Sequence, residues 1–418
     1  MSVARGKATD FSCVTTKNIT MKGANFLEKL LDNQPVEWKK LGEVFITRNG
    51  YTPSKSNPEY WEGGTIPWYR MEDIRENGRI LSDALQHITP KGVKGNGLFK
   101  ANSIILATSA TIGEHALITT EALANQRFTN FEVKEDFKDK LFPKFIFYYF
   151  YIIDDWCKKN IYVGNFPSVD VLQLKKLDFP IPPLSVQSRI VEILDKFTAM
   201  EAELEEQLQA ELELRKKQYA YYREQLLNFS YTPPSEFNVV YKKLGEVADY
   251  EQPTAYLVKD TKYKEDYPTP VLTAGKTFIL GYTNETEGIY EASKHPTIIF
   301  DDFTTALRWV DFDFKAKSSA MKMITSKDEN VCLLKYIYYW LCTVPSEVVV
   351  GDHKRQWISN YANKDFPLPP LSEQERIVEI LDKFDTLTNS ISEGLPLEIQ
   401  LRRQQYEYYR EQLLDFRH

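Results

Sequence analysis

Cysteine is scarce and unpatterned in this chain. Cys13, Cys157, Cys332 and Cys342 form no C-x-x-C pair and stand beside no histidine cluster, which excludes a zinc ribbon or a disulfide-held scaffold and suits a reducing cytoplasm. Long apolar runs are also missing. The first twenty residues hold no apolar signal core, and the most apolar stretch, "FIFYYFYII" at 145–153, is far too short to cross a bilayer. A soluble chain that is not exported is the expectation. No P-loop and no complete G-x-G-x-x-G occurs, and "GVKGNG" at 92–97 reads as a flexible loop. Basic charge is lacking too: the net charge is -7 and no stretch is strongly cationic. A nucleic-acid ligand would therefore be gripped by individually placed side chains, or together with a partner.

What the chain does have is repetition. At 418 residues it exceeds what one hydrophobic core usually organises, and "FPIPPLSVQSRIVEILDKF" at 179–197 returns as "FPLPPLSEQERIVEILDKF" at 366–384, with 16 of 19 residues identical. At the same offset of 187, "LRKKQYAYYREQLLNF" (214–229) matches "LRRQQYEYYREQLLDF" (401–416) in 12 of 16, whereas the residues between the blocks agree in only 3 of 16. Such a pattern describes a shaft whose ends make particular contacts and whose middle is merely permitted. A third repeat, "VEWKKLGEV" at 36–44 and "VVYKKLGEV" at 239–247, stands at an offset of 203, so the segments between entry and shaft differ in length while their borders match.

Apolar residues from Ile190 through Leu194, Leu208, Leu212 and Tyr219 to Phe229 recur at threes, fours and sevens, the stripe of a long amphipathic helix. Ile377, Leu381, Phe384, Ile399, Tyr406 and Leu413 repeat it. Ser185 and Ser372 are the expected N-caps, with Glu375 completing a capping box in the second copy only. Ser185 to Phe229 would form a rod of roughly 68 Å at ~1.5 Å per residue. Gly394 and Pro396 should kink or break the second rod. Glu201, Glu203, Glu205 and Glu206 read as a solvated acidic face. "LEKLLDN" at 27–33 echoes "REQLLNF" at 223–229, so the chain looks cyclically permuted, with its two ends meeting.

Residues 36–178 and 230–365 read as mixed β and α, with short apolar runs such as "SIILAT" and "PTIIF" between turn residues, and one aromatic-rich helix each whose rings belong to a core. The expected fold is α+β: two mixed α/β domains separated by two long antiparallel coiled-coil helices (179–229 and 366–418), pseudo-two-fold and cyclically permuted. Residues 1–35 would be an extension and a short helix packing near the C-terminus.

Two divergent domains alternating with near-identical helices, the K-K-L-G-E-V entry and the F-P-x-P-P-L-S-x-Q-x-R-I-V-x-I-L-D-K-F helix start together resemble the specificity (S) subunit of type I restriction-modification systems, the HsdS family. The resemblance covers about residue 25 to the end. It implies that each variable domain is a target recognition domain reading one half of a bipartite site in double-stranded DNA. The paired helices would set the spacing and dock two methyltransferase subunits; restriction subunits would add translocation and cleavage. Adenine N6 methylation, S-adenosylmethionine, ATP and Mg would belong to those partners, with no catalytic residue, cofactor or metal on this chain. Consistent with that division, no Asn or Asp precedes Pro-Pro-Tyr or Pro-Pro-Phe, "NPEY" at 57–60 being nearest. Competing readings are a self-contained nuclease or methyltransferase, with Asp301, Asp302, Asp311, Asp313 and Lys315 as an imaginable metal site, and a coiled-coil adaptor that ignores DNA.

Base edges are read by Arg or Lys, Asn or Gln, and Ser or Thr carried on loops. In the first domain these are Arg48, Asn49, Tyr51, Arg70, Thr111, Gln126 and Arg127. In the second they are Lys276, Thr277, Thr304, Thr305, Ser318, Lys354 and Arg355. Loops around Gly164 and Gly351 form a further matched pair.

Overall fold

The computed structural model describes residues 24–162, 167–229, 238–275, 277–346, 355–389 and 393–417, with side chains from Leu27 onward. The chain divides into two compact units: one runs through Glu205 and takes back the chain from Leu401, the other is Glu206–Gln400.

Each unit contains the same entry-and-exit ribbon, which explains why both short motifs are repeated. Glu37–Lys40 pairs antiparallel with Asp178–Ile181, and Val240–Lys243 pairs with Asp365–Leu368. Lys40 and Asp178 approach to 2.5 Å, Lys243 and Asp365 to 2.7 Å. These ion pairs are exposed and contribute little; the ribbons are anchored by Phe179 and Phe366, both fully buried.

In the first unit a five-stranded sheet runs in the order Phe45–Asn49, Phe128–Val133, Ser103–Ala107, His115–Ile118, Ile80–Leu81, beside a three-stranded sheet of His87–Ile88, Ile66–Tyr69 and Leu123–Ala124. The second unit repeats the order as Ala248–Glu251, Met321–Ser326, Thr297–Asp301, Leu307–Val310, with four strands among the described residues, beside Ile279–Thr283, Thr269–Leu272 and Lys315–Ala316. The central strands Ser103–Ala107 and Thr297–Asp301 are buried at every position because both of their faces are covered. Ile104 and Leu106 pack with the aromatic helix Pro143–Lys159, whereas Ile105 and Ala107 pack towards the smaller sheet. Ile298 and Phe300 divide from Ile299 in the same way. The aromatic helices, including Leu334–Leu341, are core as expected.

The first long helix, Leu184–Leu227, is continuous over 44 residues; the second is broken into Leu371–Asn389 and Gly394–Leu414. Gly394 has φ +75° and a side chain there would press within 2.6 Å of the Thr386 carbonyl oxygen, so the expected break is built on a glycine. Pairing is antiparallel within each unit. In the first, Phe197 faces Tyr409, Thr198 meets the Tyr406 hydroxyl at 2.7 Å, and Glu205 pairs with Arg403. In the second, Leu208 and Leu212 meet Leu395 and Ile399, and Tyr219 stacks on Phe384. The short helix Ala24–Leu31 buries Leu27 and Leu30 in the same cluster as Leu413 and Leu414.

Three expectations are corrected. The helices start one residue early, at Leu184 and Leu371, and the carbonyls of Pro183 and Pro370 accept their first bonds. Ser185 and Ser372 therefore lie inside the first turn and Glu375 beyond it, and no capping bond from the serines occurs among the described residues. Glu201 and Glu205 are half-buried against Arg403 rather than plain surface. Burial raises the Glu201 pKa, and Glu205 adds to the rise.

The repeated glutamine and aspartate fasten each helix start to its own domain. Gln187 is fully buried; it accepts from the Phe142 amide at 2.9 Å and donates to the carbonyls of Lys140 and Pro182, both at 2.7 Å. Gln374 does the same with the Leu333 amide at 2.9 Å, Val331 at 3.0 Å and Pro369 at 2.9 Å. Asp195 accepts from the Tyr148 hydroxyl at 2.7 Å, and Asp382 from Tyr339. No helix among the described residues is long and apolar enough to cross a membrane.

Candidate nucleic-acid interface

At one end of the first unit's larger sheet, the strands Phe45–Asn49, Ser103–Ala107 and Phe128–Val133 finish together, with Asn49 opposite Thr129 and Ala107 opposite Phe128. The loops that follow are forced into contact. Gly50 lies so close to the 124–125 backbone that a Cβ there would meet the Asn125 carbonyl oxygen at 2.2 Å, so only glycine admits this approach. Thr52 then donates to Gln126 Oε1 at 2.6 Å, and the Thr108 amide to the Arg127 carbonyl at 3.0 Å.

Hydroxyl accounting orients this end. Thr129 Oγ1 donates to Asn49 Oδ1 at 2.9 Å, which leaves the Thr108 hydroxyl to donate to Thr129, also at 2.9 Å. The Asn49 and Gln126 oxygens are thus occupied from within, and both side chains are exposed. What they offer outward are amide donors. Arg127 is exposed, and its side chain has no hydrogen bond or ion pair among the described residues. A cluster of donors fits acceptors: purine N7, guanine O6 or phosphate oxygens. Arg70 joins this edge because Ile66–Tyr69 runs parallel to Leu123–Ala124 and the Asn125 amide bonds the Tyr69 carbonyl at 3.0 Å. Its Nε is buried without a hydrogen bond and lies 4.0 Å from Glu72 Oε2, while its backbone amide donates to Asp73 at 2.6 Å. Thr111 is half-buried in the same turn region, next to Ala110 at φ +65°.

Arg48 and Tyr51 are used differently from expectation. The Arg48 guanidinium donates to the Asn96 carbonyl and, at 2.6 Å, to that of Leu98, and stands over Phe99 at 5.1 Å. Tyr51 Oη donates to the Gly92 carbonyl at 3.3 Å and accepts from the Lys94 amide at 2.7 Å. Together they clamp 92–98, the segment that read as a flexible loop. Arg48→Ala is expected to destabilise the first unit by about 1–2 kcal/mol and to raise amide hydrogen exchange across 92–98. Unchanged exchange there would refute the clamp.

In the second unit Lys276, Lys354 and Gly351 lie outside the described residues, as does Gly164 in the first. Thr277 is exposed beside a turn closed by Thr273 Oγ1 donating to its carbonyl at 2.7 Å. Thr304 and Ser318 are exposed but serve their own turns, accepting from the Ala306 amide at 3.4 Å and the Ala320 amide at 3.2 Å. Thr305, at φ +59°, is turned inward and buried, its hydroxyl engaged with the Thr304 carbonyl and Ser346. It is therefore not a surface reader. Arg355 is exposed at the start of the short helix Gln356–Ser359.

The acidic residues do not converge. Asp301 Oδ1 accepts from the amides of Phe303 and Thr304, Asp302 faces Lys322, Asp311 accepts from the Trp309 indole, and Asp313 from Ser293. Lys315 is bound to Glu285 at 3.0 Å and to the Glu287 carbonyl. No cluster able to hold a metal occurs among the described residues. Sequence reasoning passed over Lys322, buried beside Asp302 at 3.7 Å. Burial lowers its pKa from the usual lysine value; Asp302 opposes that fall and Arg355 adds to it. Its signal was a lysine alternating with methionines in a strand whose neighbour ends in two aspartates.

The family model of the type I restriction modification DNA specificity domain matches residues 33–214 and 235–401. Over 181 residues, 42% of this chain and 44% of the relative, the sequence is 63% identical to the type I restriction enzyme EcoR124I/EcoR124II specificity subunit of Escherichia coli. With the EcoprrI specificity subunit of the same species it is 40% identical over 405 residues, 89% of this chain and 93% of that one. A chain from a solved structure on complex assembly and conformational transition of the type I R-M system aligns with TM-score 0.62 at 15% identity, covering 91% of this chain and 98% of that one. That last likeness is one of fold.

Proposed function

The chain belongs to the type I restriction-modification DNA specificity family, and from that membership we propose that it is the DNA-reading subunit of a methyltransferase and restriction complex. Residues 36–178 and 230–365 serve as target recognition domains, each reading one half of a bipartite site in double-stranded DNA. One observation carries this reading. The two units share ribbon, strand order and glutamine–aspartate fastening, yet differ in the side chains at the loop end of the sheet. A common frame with unlike loops is what two readers of unlike half-sites require.

The repeated helix ends support docking of the same partner twice. Tyr221 and Tyr408, at matching repeat positions, are exposed by 60% and 46%, and such rings suit a partner surface. Two methyltransferase subunits would bring S-adenosylmethionine and the adenine N6 chemistry on a flipped base. Restriction subunits would bring ATP, Mg and cleavage, all in the cytoplasm, while this chain supplies contacts alone. The acceptor-seeking cluster of Asn49, Gln126 and Arg127 is the proposed core of the first reading surface.

Exchanging residues 239–365 for those of a relative with another target, in the complete complex, is expected to alter one half of the methylated motif and leave the other intact. Mapping modified adenines in host DNA reads the result directly. Alteration of both halves, or of neither, would contradict the assignment of one half to each domain.

A further inference from the structure

The strand register equates positions across the two units without reference to loop sequence. Ala107 lies opposite Phe128 in the first, and Asp301 opposite Met321 in the second; Thr108 therefore corresponds to Asp302, and Thr129 to Lys322. The chain segment that crosses this spot is equivalent too. The Thr108 carbonyl accepts from the Val169 amide at 2.9 Å and the Asp302 carbonyl from the Gln356 amide at 2.9 Å, two residues separated by the same 187 positions as the helix-start repeats.

The chemistry at this shared spot differs. The first unit has two threonine hydroxyls 2.9 Å apart. In the second, Lys322 and Asp302 are almost wholly buried, with Nζ 3.7 Å from Oδ2. Lys322 Nζ has no hydrogen-bond partner among the described residues and stands 4.8 Å from the Tyr250 ring centre. A buried ion pair of this kind is a costly way to join two strands that threonines join equally well. Its second oxygen shows what the carboxylate is for: Asp302 Oδ1 accepts from the Trp357 amide at 2.8 Å. Asp302 thus receives two successive amides of the helix that starts immediately after Arg355.

In the first unit the exposed arginine arrives from the neighbouring loop, since the Thr108 amide is bonded to the carbonyl of Arg127 at 3.0 Å. By register the residue matching Arg127 in the second unit is Ala320, and the residue matching Arg355 in the first is Ser168. Each unit therefore presents one exposed arginine, without a side-chain partner among the described residues, at the same strand end but on a different loop.

We infer that Arg355 takes in the second unit the base-reading place that Arg127 takes in the first, and that the buried Lys322–Asp302 pair is what positions it. This rests on the DNA-reading role proposed above. Lys322 stands against Asp302 Oδ2, Asp302 holds the start of the Gln356–Ser359 helix through its Oδ1 and its carbonyl, and that start aims Arg355. Lys322 and Asp302 touch no base themselves and act as positioning residues.

The test uses the full chain assembled with its methyltransferase subunits, and duplexes carrying the mapped motif together with all its single-base variants. Arg127→Ala should lose discrimination by roughly tenfold or more at one position of the first half, and Arg355→Ala at one position of the second. The double variant Asp302→Thr/Lys322→Thr copies the first unit's hydroxyl pair and so preserves the fold. It should lose the same position as Arg355→Ala while its unfolding midpoint and its preference elsewhere stay close to the parent's. Full preference retained by the double variant would overturn the positioning role. Equal weakening of every duplex by Arg355→Ala, with a salt slope reduced by about one, would mark a phosphate contact and overturn the base-reading role. A parent complex with no base preference would remove the DNA-reading role itself.

Discussion

Replacing Asp154 with alanine is expected to destabilise the first unit by about 3–5 kcal/mol, enough to unfold a marginal domain at host temperature. His115 is fully buried; its Nδ1 lies 2.7 Å from Asp154 Oδ2 and its Nε2 2.9 Å from the Phe147 carbonyl oxygen. Both ring nitrogens face oxygen atoms. Arg79 donates to the same carboxylate oxygen at 3.0 Å. Tyr151 lies between the guanidiniums of Arg79, at 5.0 Å from its ring centre, and Arg410, at 3.8 Å. Burial raises the Tyr151 pKa, with Arg79 opposing the rise. One carboxylate of the aromatic helix thus meets His115 of the sheet and Arg79 beside its edge strand. Removing it leaves the buried His115 ring and the Arg79 guanidinium without the oxygen they share, whereas Asp154→Asn keeps an acceptor and should lose less. Urea unfolding followed by fluorescence measures both; a loss below about 1 kcal/mol for alanine would show that the network carries no weight.

Gln374→Ala should destabilise the second unit by about 1–3 kcal/mol, because it leaves the half-buried Leu333 amide, the Val331 carbonyl and the buried Pro369 carbonyl without their side-chain partner. Gln187→Ala should do the same to the first unit through Phe142, Lys140 and Pro182. The informative outcome is locality. Hydrogen exchange should rise in 327–345 for the first substitution and in 134–153 for the second, with the other unit unaffected. Glutamate at either position would not rescue, since it turns two donors facing carbonyls into acceptors. Equal loosening of both units by one substitution would refute the separate fastening of each helix start.

Much of this was legible in the chain because repetition marks contact. The glutamine and aspartate of the nineteen-residue motif recur because each bonds backbone or tyrosine of the preceding domain, and the entry motif recurs because it pairs with the exit motif. Helix, break and mixed-sheet character follow from periodicity and from Gly394, all local properties. The serine caps misled because the proline carbonyls already accept the first-turn amides and a glutamine reaches back in place of a cap. Arg48 and Thr305 misled for another reason. A polar residue beside a turn is equally fit to bind a ligand or to hold its own loop, and only the position of the loop carbonyls decides between them.

Local patterning alone determined that there are two similar halves, that long helices frame them, and that no motif for nucleotide or metal chemistry accompanies them. Tertiary structure decided which polar groups are left over for a ligand. Asn49 and Gln126 turn their donors outward only because Thr129 and Thr52, distant in the chain, occupy their oxygens. Lys322 meets Asp302 only through strand register. Hydrogen-bond capacity is shared among neighbours in space, so what remains free is a property of the fold, and no single stretch of residues contains it.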